Sequence, residues 1–464
     1  MFSEIRSVHF VGVGGTAMAS TAAALQQRGF AVTGSDQNVY PPMSTFLAER
    51  QIEVMNGYAE RNLAHKPDLV VIGNAISRGN PEAEYCLDHK LRFCSLPDLL
   101  REFFIRGKRS IVVAGTHGKT TTTSLLTWVF EHNGLNPSYL IGGIPNNLSQ
   151  GARFTDSEWF IIEGDEYDTA FFDKRSKFIH YLPECAIINN VEFDHADIFE
   201  NLAAVQKTFS HFIRLVPRNG LLLGNGDDPN LAPLLDVNFC PVKRFGLGEE
   251  NAIHATNVRL GPTASEFEIP SAKFHLNLAG EFNVRNALAV VAAAKHFGLS
   301  NKQIQSAFET FKGIKRRMEV RGIAGGVTVI DDFGHHPTAI RQTLAALRLK
   351  YPSQKLWAIF EPRSNTTRRN VFQTELAESF AQADGVVVSQ VARLELLKPE
   401  ERLNPEKLMA DIKALGKDAA YLPDVDSIVA HVAGRAQGGD LVVVFSNGGF
   451  GGIHGKLLER LGRR

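Results

Sequence analysis

Short apolar runs alternate with helical stretches along most of the chain. Runs such as 7–14 and 109–115 are rich in β-branched residues, and the helical stretches 16–28 and 281–297 each end beside a glycine. Strands that alternate with helices in this way are typical of parallel sheets covered by helices. The pattern therefore predicts an α/β fold.

The strand-like runs fall into three groups. The charged stretch 101–108 separates the first group from the second, and the second boundary lies near Gly313. A length of 464 residues is also too great for a single hydrophobic core. We therefore expect a linker at 101–108 and three domains, which comprise residues 1–107, 108–312 and 313–464.

Composition excludes several classes of function. Lys plus Arg and Asp plus Glu each number 50, so no overall positive charge favours nucleic acid or an anionic membrane. The longest uncharged stretch, 8–27, contains glycines and polar residues, which favours a strand, a turn and a helix over a membrane span. The four cysteines lack the spacing of metal ligands. We expect a cytoplasmic protein without nucleic-acid binding or membrane insertion.

A glycine-rich loop stands between a predicted strand that ends at Ala114 and a predicted helix. The backbone N–H groups of such a loop and the N-terminus of the helix bind phosphate, and a lysine reaches the terminal phosphates. Val113 replaces the first glycine of the usual P-loop, so this loop is a shortened variant. The residues predicted to bind nucleotide here are Gly115, Thr116, Gly118, Lys119, Thr120 and Thr121.

Acidic side chains and a histidine follow two other apolar strands. Glu163 ends one strand, and His195 follows the next. Ligands bind at the carboxyl ends of parallel strands, and Mg²⁺ takes carboxylate, hydroxyl and occasionally imidazole ligands. We therefore expect Thr120, Glu163 and His195 to bind Mg²⁺. A capping or core role for His195 is the alternative.

A second glycine-rich turn lies near the start of the chain. Gly12, Gly14, Gly15 and Ala17 fit the pattern G-x-G-x-x-G/A after a strand, and Asp36 follows at the expected distance. Taken alone, this pattern predicts dinucleotide binding. An NAD-binding oxidoreductase is therefore an alternative from a different class of function.

Five motifs together resemble the Mur ligases of peptidoglycan synthesis, and they extend over nearly the whole chain. They are AGTHGKTTT at 114–122, EGDEYD at 163–168, EFDHAD at 192–197, GEFNVRNA at 280–287 and DDFGHHP at 331–337. The resemblance implies a Rossmann-like N-terminal domain for a UDP-sugar, a central P-loop ATPase domain and a Rossmann-like C-terminal domain. It also implies ATP and Mg²⁺ as cofactors of an amide-bond ligase.

The resemblance also implies roles for individual residues in the ATP half of the reaction. Asn283 and Asn286 match positions that contact adenine, and Asp332 matches the position that holds the ribose. Arg317 matches the arginine that reaches the phosphates, although the neighbouring Arg316 leaves its register open by one residue. The implied catalytic residues are Lys119, His117, Glu163, His195, His335 as a candidate for the amine proton, and Lys207.

Lys207 lies near the position where several relatives carry a carbamylated lysine, and an ordinary solvated lysine is the alternative.

In the same family the glycine-rich turn near the start of the chain receives the pyrophosphate of the UDP-sugar. The residues implied to bind that substrate are Gly12, Gly14, Gly15, Thr16, Ser35, Asp36, Asn74, Ala75 and Ile76.

Four segments resemble one branch of the family. They are YPPMST at 40–45, DTAFFDKRSKF at 168–178, FEPRSNT at 360–366 and SNGGFGG at 446–452. That branch joins UDP-N-acetylmuramate to the tripeptide L-alanyl-γ-D-glutamyl-meso-diaminopimelate in peptidoglycan recycling. Addition of L-alanine to the same UDP-sugar is the alternative within the family. Basic side chains suit a peptide with several carboxylates. We expect the acceptor to contact Arg175, Arg363, Ser446 and Asn447.

The phosphate-loop prediction can be tested by a Lys119→Ala variant. We expect this variant to lose ATP-dependent phosphate release, because no other loop side chain carries the charge that reaches the terminal phosphates. Phosphate release is measured for the variant and the wild-type protein under the same conditions. Normal release by the variant would contradict the assignment of the loop.

Overall fold

The computed structural model describes residues 4–391 and 393–463. Its first sheet is entirely parallel and has the strand order β3-β2-β1-β4-β5. The strands are β1 (Ser7–Val11), β2 (Ala31–Asp36), β3 (Glu53–Asn56), β4 (Leu69–Ile72) and β5 (Phe93–Ser95), and the helices are α1 (Thr16–Gln27), α2 (Met43–Glu49), α3 (Pro81–Asp88) and α4 (Leu96–Leu100).

The stretch 101–108, predicted to be a linker, is helical over its first part. Residues Arg101–Ile105 continue the helical path directly after α4, and Phe104 and Ile105 are buried. Both side chains belong to a hydrophobic core that includes residues of the first and the central sheet. The charged residues suggested an exposed linker, but the apolar residues among them pack between the two sheets.

The central sheet has the strand order β15-β14-β13-β12-β6-β9-β7-β8 and is parallel except for β8. A separate hairpin, β10–β11, and an antiparallel sheet, β16-β17-β18, belong to the same part of the chain. The elements are β6 (Arg109–Ala114), α5 (Lys119–His132), β7 (Ser138–Leu140), β8 (Ala152–Arg153), β9 (Trp159–Glu163), β10 (Asp168–Ala170), β11 (Asp173–Ser176), β12 (Cys185–Ile188), α6 (Leu202–Ile213), β13 (Leu221–Asn225), β14 (Val242–Gly246), β15 (Ile253–His254), β16 (Thr256–Leu260), β17 (Ser265–Ile269), β18 (Ala272–Leu276), α7 (Glu281–His296) and α8 (Asn301–Thr310).

Strand β6 lies between β9 and β12, and its register aligns the carboxyl ends of all three strands. Val113 is opposite Glu163 on one side, and Ala114 is opposite Ile188 on the other. The loops that follow these strands therefore start at the same edge of the sheet. These are the loops that contain the predicted phosphate and metal residues.

The third sheet has the strand order β19-β20-β24-β21-β22-β23, with only β19 antiparallel among its pairings. Its elements are β19 (Glu319–Ala324), β20 (Val327–Asp332), α9 (Pro337–Lys350), β21 (Leu356–Phe360), α10 (Gln373–Ser379), β22 (Gly385–Ser389), α11 (Pro405–Ala414), β23 (Asp418–Leu422), α12 (Val425–Ala433), β24 (Leu441–Phe445) and α13 (Ile453–Gly462). Phe445 is opposite both Asp332 and Phe360, so three motif-bearing loops start at one edge.

The predicted α/β class is confirmed, and the predicted strands and helices match observed elements to within a few residues. The antiparallel pairs β7–β8, β10–β11 and β16-β17-β18 were not foreseen. The predicted divisions after residues 107 and 312 fall between strands of different sheets and stay predictions. None of the helices in the described ranges is long and apolar enough to cross a membrane.

A buried carboxylate connects β1, β2 and α3 in the first sheet. Glu82 is fully buried, and it accepts hydrogen bonds of 2.6 Å from the Ser35 hydroxyl and the Asn62 amide. His9 Nε2 lies 3.2 Å from the same side chain. The Ser35 side chain therefore faces the interior, and its contact with substrate stays a prediction.

Glu82→Ala should lower the free energy of unfolding by about 3–5 kcal/mol, because it leaves His9 and two other buried polar groups without their partner. The matched control is Glu84→Ala, which removes an exposed ion pair with Arg78 and should lower the free energy of unfolding far less, because solvent screens exposed ion pairs. Both are measured by urea denaturation. Equal losses in the two variants would contradict the structural role assigned to Glu82.

Candidate functional site

The phosphate-type loop follows β6 and precedes α5. Gly118 has a left-handed φ of +77°, and a Cβ on it would lie 2.6 Å from Asn286 Oδ1. A side chain at this position would therefore be excluded by both backbone conformation and space. The residues after β12 hold the loop, since the His117 backbone N–H donates to Asn190 Oδ1 at 2.7 Å.

The Lys119 ammonium binds inside this loop and pairs with a buried acid. Its Nζ donates to the Gly115 carbonyl at 2.6 Å and to Glu166 Oε2 at 2.7 Å. His195 Nε2 lies 3.0 Å from Glu166 Oε1. Burial raises the pKa of the Glu166 carboxyl, but Lys119 and His195 together lower it below its usual value. Glu166 was not predicted as a site residue, although it lies within the EGDEYD motif.

Glu163 and its hydrogen-bond partners form a second cluster of polar groups beside the loop. Thr120 Oγ1 donates to Glu163 Oε1 at 3.0 Å, and the Gly142 backbone N–H donates to Oε2 at 2.7 Å. Burial raises the pKa of the Glu163 carboxyl, against the opposing effect of Lys119. A carboxylate and a hydroxyl side by side are oxygen ligands of the kind that Mg²⁺ prefers. Among the described contacts, His195 bonds to Glu166 and not to Glu163.

A cavity of about 620 Å³ lies where the three sheets meet. Thr16 of α1, Lys119 of α5 and Glu163 of β9 line it. Arg317, just before β19, and His335, just after β20, line it as well. His117, Thr116, Gly118, Thr120 and His195 also line this cavity. The tertiary structure thus brings most of the predicted catalytic residues to one space.

Two smaller cavities adjoin the loop. One of about 80 Å³ is lined by the residues predicted to bind nucleotide, which include Thr121, Asn283, Asn286, Arg317 and Asp332. The other, of about 230 Å³, shares His117, Gly118 and Asn286 with it and is also lined by Asn189, Asn190, Asp227, Phe282 and Arg285. The predicted adenine and ribose residues therefore lie together, beside polar residues that the sequence analysis did not select.

The structure distinguishes Arg317 from Arg316. Arg317 Nη2 lies 3.5 Å from Thr120 Oγ1, so its guanidinium faces the phosphate-type loop. Arg316 instead donates to the carbonyls of Ser446 and Gly448 at 2.7 and 2.9 Å. The register of the motif therefore favours Arg317 as the residue that faces the loop.

The glycine-rich turn near the start of the chain is shaped by Asp36, whose Oδ2 accepts a hydrogen bond from the Gly14 N–H at 2.8 Å. Gly12 has a left-handed φ of +86°, and its N–H donates to the Ser35 carbonyl at 2.8 Å. Gly15 precedes α1, whose first residue, Thr16, reaches the large cavity. Asn74 and Ala75, which follow β4, are exposed, whereas Ile76 is buried.

Three of the four predicted acceptor residues lie together at the edge of the third sheet. Arg363 packs against Gly448, and Ser446 donates a short hydrogen bond to Glu361. Asn447 adjoins them in the same loop. Arg175 lies apart on strand β11, where it is paired with Asp173 at 2.7 Å. The structure therefore groups Arg363, Ser446 and Asn447 but not Arg175.

Lys207 is not among the described residues that line these cavities, and its catalytic role stays a prediction. It lies exposed on α6, and that helix buries Val205 and Phe209 on its inner face. The hydrophobic pattern of α6 turns position 207 toward solvent. This exposure is compatible with the alternative of an ordinary solvated lysine.

His117, Glu192 and His336 form a contact between the central and the third sheet. Their ligand atoms lie within 4.8 Å of one another, which is compatible with a metal ion. However, His336 Nε2 lies 3.2 Å from the Phe193 carbonyl, and its Nδ1 accepts from the Thr338 N–H at 3.2 Å. Because both ring nitrogens have protein partners, we assign this group to packing between the sheets.

Two histidines of the DDFGHHP motif have their pKa lowered by burial. Burial and the neighbouring His117 lower the pKa of His336 to about 3, against the opposing effect of Asp194 and Glu192. Burial also lowers the pKa of His335, whose Nδ1 donates to the Phe333 carbonyl at 3.2 Å. The His335 Nε2 lone pair is then free to accept a proton.

Models of the Mur ligase family match three consecutive parts of the chain. The model described as the Mur ligase family catalytic domain matches residues 7–108. The Mur ligase middle domain matches 113–294, and the Mur ligase glutamate ligase domain matches 316–448.

The chain is also similar to known ligases over almost its whole length. It is 43% identical over 463 residues to the UDP-N-acetylmuramate–L-alanyl-γ-D-glutamyl-meso-2,6-diaminoheptandioate ligase of Escherichia coli, with 98% of both chains covered. It is 32% identical to a UDP-N-acetylmuramate–L-alanine ligase of a Polaromonas species, with 99% of both chains covered. A crystal structure of a murein peptide ligase from Psychrobacter arcticus has a TM-score of 0.74 and 36% identity, with 99% of both chains covered.

The lowered pKa of His336 predicts a pH-dependent stability. Below about pH 6.5 the unfolded chain binds a proton that the folded chain excludes, so the free energy of unfolding falls as pH decreases. His336→Gln should remove this contribution, which is at most about 1.4 kcal/mol per pH unit. Urea denaturation at about pH 7.5 and about pH 5 measures it. The exposed His89→Gln is the control, and an unchanged pH slope in the His336 variant would contradict the assignment.

Proposed function

This chain belongs to the Mur ligase family, and from that premise we propose that it joins UDP-N-acetylmuramate to the tripeptide L-alanyl-γ-D-glutamyl-meso-diaminopimelate. The observation that carries the proposal is the higher identity to the tripeptide ligase than to the L-alanine ligase, over nearly the full length. The NAD alternative is set aside, because the region with the first glycine pattern matches a Mur ligase model.

The proposed reaction has two steps. A carboxylate oxygen of the UDP-sugar attacks the γ-phosphorus of ATP, and ADP leaves, so that an acyl phosphate forms. The free amine of the tripeptide then attacks the acyl carbon, the C–O bond to phosphate breaks, and the amine loses a proton. Activation is needed because a carboxylate is a poor electrophile at neutral pH.

Lys119 is the proposed contact for the terminal phosphates of ATP. Its ammonium lies in the loop at the start of α5, where the backbone N–H groups of the helix also favour anions. Arg317 faces the same loop from the third sheet. Two cations from different sheets would stabilise charge on the phosphoryl group during transfer. This task requires positioning more than covalent chemistry.

Thr120 and Glu163 fit a Mg²⁺ ion, because their oxygens are adjacent and the Glu163 carboxylate has only Thr120 and Gly142 as described hydrogen-bond partners. Bound Mg²⁺ would neutralise charge on the phosphate oxygens. His195 remains a proposed additional ligand from the same cavity, although Glu166 now holds its ring. The fit of Thr120 and Glu163 is therefore better supported than that of His195.

The other ligand sites follow from the cavities. Asn283 and Asn286 are the proposed contacts for adenine, and Asp332 is the proposed contact for the ribose. The two carboxylate oxygens of Asp332 accept hydrogen bonds from the backbone N–H groups of Met318 and Gly334. This carboxylate therefore also shapes the backbone next to Arg317. Thr16 marks the side of the large cavity at which the UDP-sugar would enter.

His335 is the proposed acceptor of the amine proton. It lines the large cavity, and its Nδ1–H is held by the Phe333 carbonyl. Burial lowers its pKa, so the ring is neutral at physiological pH and can take a proton at Nε2. Asp194, whose carboxylate lies 3.9 Å from Nε2, would stabilise the resulting imidazolium.

The cytoplasmic location expected from the sequence stays a prediction.

The proposal is tested by phosphate release from ATP with Mg²⁺ and UDP-N-acetylmuramate, with either the tripeptide or L-alanine as acceptor. We expect release to depend on the UDP-sugar, to stop when EDTA removes Mg²⁺, and to be faster with the tripeptide. Product formation is followed by mass spectrometry. Preference for L-alanine would overturn the choice of acceptor, and reduction of NAD without phosphate release would overturn the ligase proposal.

A further inference from the structure

Arg316 and Arg317 are adjacent in sequence but have different partners: Arg316 bonds to the loop after β24, whereas Arg317 faces the phosphate-type loop. Arg316 and Met318 have left-handed φ values of +60° and +48°, which are uncommon for residues with side chains. The Arg316 carbonyl accepts from the Phe333 N–H at 2.8 Å, and the Met318 N–H donates to Asp332. These bonds hold a backbone that sends the two side chains to different partners.

Arg316 is bonded to the loop that follows β24. Its Nη2 donates to the carbonyls of Ser446 and Gly448 at 2.7 and 2.9 Å. Its Nε lies 3.2 Å from Asp331, whose side chain is 3% exposed. An arginine anchored by a buried carboxylate can hold two carbonyls in a fixed geometry, because its donors form a rigid fork.

The same loop also contacts Arg363. A Cβ on Gly448 would lie 2.7 Å from Arg363 Nε, so the guanidinium packs directly on the glycine backbone. The Ser446 hydroxyl accepts from the Gly448 N–H at 3.0 Å and donates to Glu361. The segment 446–448 therefore contacts both Arg316 and Arg363, and Glu361, which accepts from Ser446, lies 3.7 Å from Arg363 Nη1.

We propose that Arg316 is a positioning residue for the acceptor: it holds segment 446–448 and, through that segment, places Arg363 to bind an acceptor carboxylate. This inference rests on the proposed function. Arg317 serves the phosphates from the next position in the chain, and each guanidinium lies 5.2 Å from the centre of the Phe333 ring. One short segment thus carries both the arginine that faces the phosphate-type loop and the arginine that holds segment 446–448.

The test compares Arg316→Gln with wild-type enzyme in the phosphate-release assay. Loss of two charge-assisted hydrogen bonds should raise the KM for the tripeptide by about tenfold or more, whereas the KM for ATP should stay within about twofold. Arg316→Lys should show a smaller rise, because one ammonium cannot reproduce the fork. A rise in the KM for ATP with the KM for tripeptide unchanged would overturn the proposal.

Two further variants separate this role from general stability. His454→Gln removes another partner of Asp331 without a described bond to the segment, and both KM values should stay within about twofold of wild type. Gly448→Ala displaces Arg363 and leaves the Arg316 side chain intact, so it should again raise only the KM for the tripeptide. A rise of the tripeptide KM in His454→Gln equal to that in Arg316→Gln would overturn the proposal.

Hydrogen–deuterium exchange supplies a readout that does not depend on turnover. Peptides that cover 446–452 should exchange faster in Arg316→Gln than in His454→Gln, because only the former loses its bonds to the segment. If the wild-type enzyme does not use the tripeptide, the proposed function fails while exchange still decides whether Arg316 holds the segment. Equal exchange in the two variants would refute that role.

Discussion

The register of β6 between β9 and β12 is the constraint on which the rest of the site depends. Because Val113 is opposite Glu163 and Ala114 is opposite Ile188, three loops start at one edge of the central sheet. Parallel strands point their carboxyl ends in one direction, so the side chains after them converge. A one-residue shift would turn the side chains of β6 to the opposite faces of the sheet and move the lysine loop relative to its acids.

Charge pairing then makes this convergence stable. Lys119 would be costly to bury alone, and Glu166 supplies the opposite charge at 2.7 Å with His195 on its other oxygen. Glu163 stays outside this pair and keeps oxygens directed at Thr120 and the Gly142 N–H. Two neighbouring carboxylates therefore differ in role, because one holds a lysine and the other is better suited to a hard cation.

The third sheet contributes through the same geometry. The alignment of Asp332, Phe360 and Phe445 places its motif-bearing loops at one edge, which faces the central sheet. Thr338 and His336 bond to the segment after β12, and Arg317 reaches toward Thr120. The large cavity is consequently lined by residues associated with all three sheets.

The sequence by itself determined the α/β class, the principal strands and helices, and the glycine loop, because these follow from local periodicity and backbone freedom. It also indicated the residues of the nucleotide cavities through motifs. Only the tertiary structure decided contacts between distant segments. Ser35 faces inward to Glu82, Lys207 faces solvent, and Glu166 holds Lys119. It also gave Arg316 and Arg317 different partners, because side-chain direction depends on packing and backbone conformation that a linear pattern does not contain.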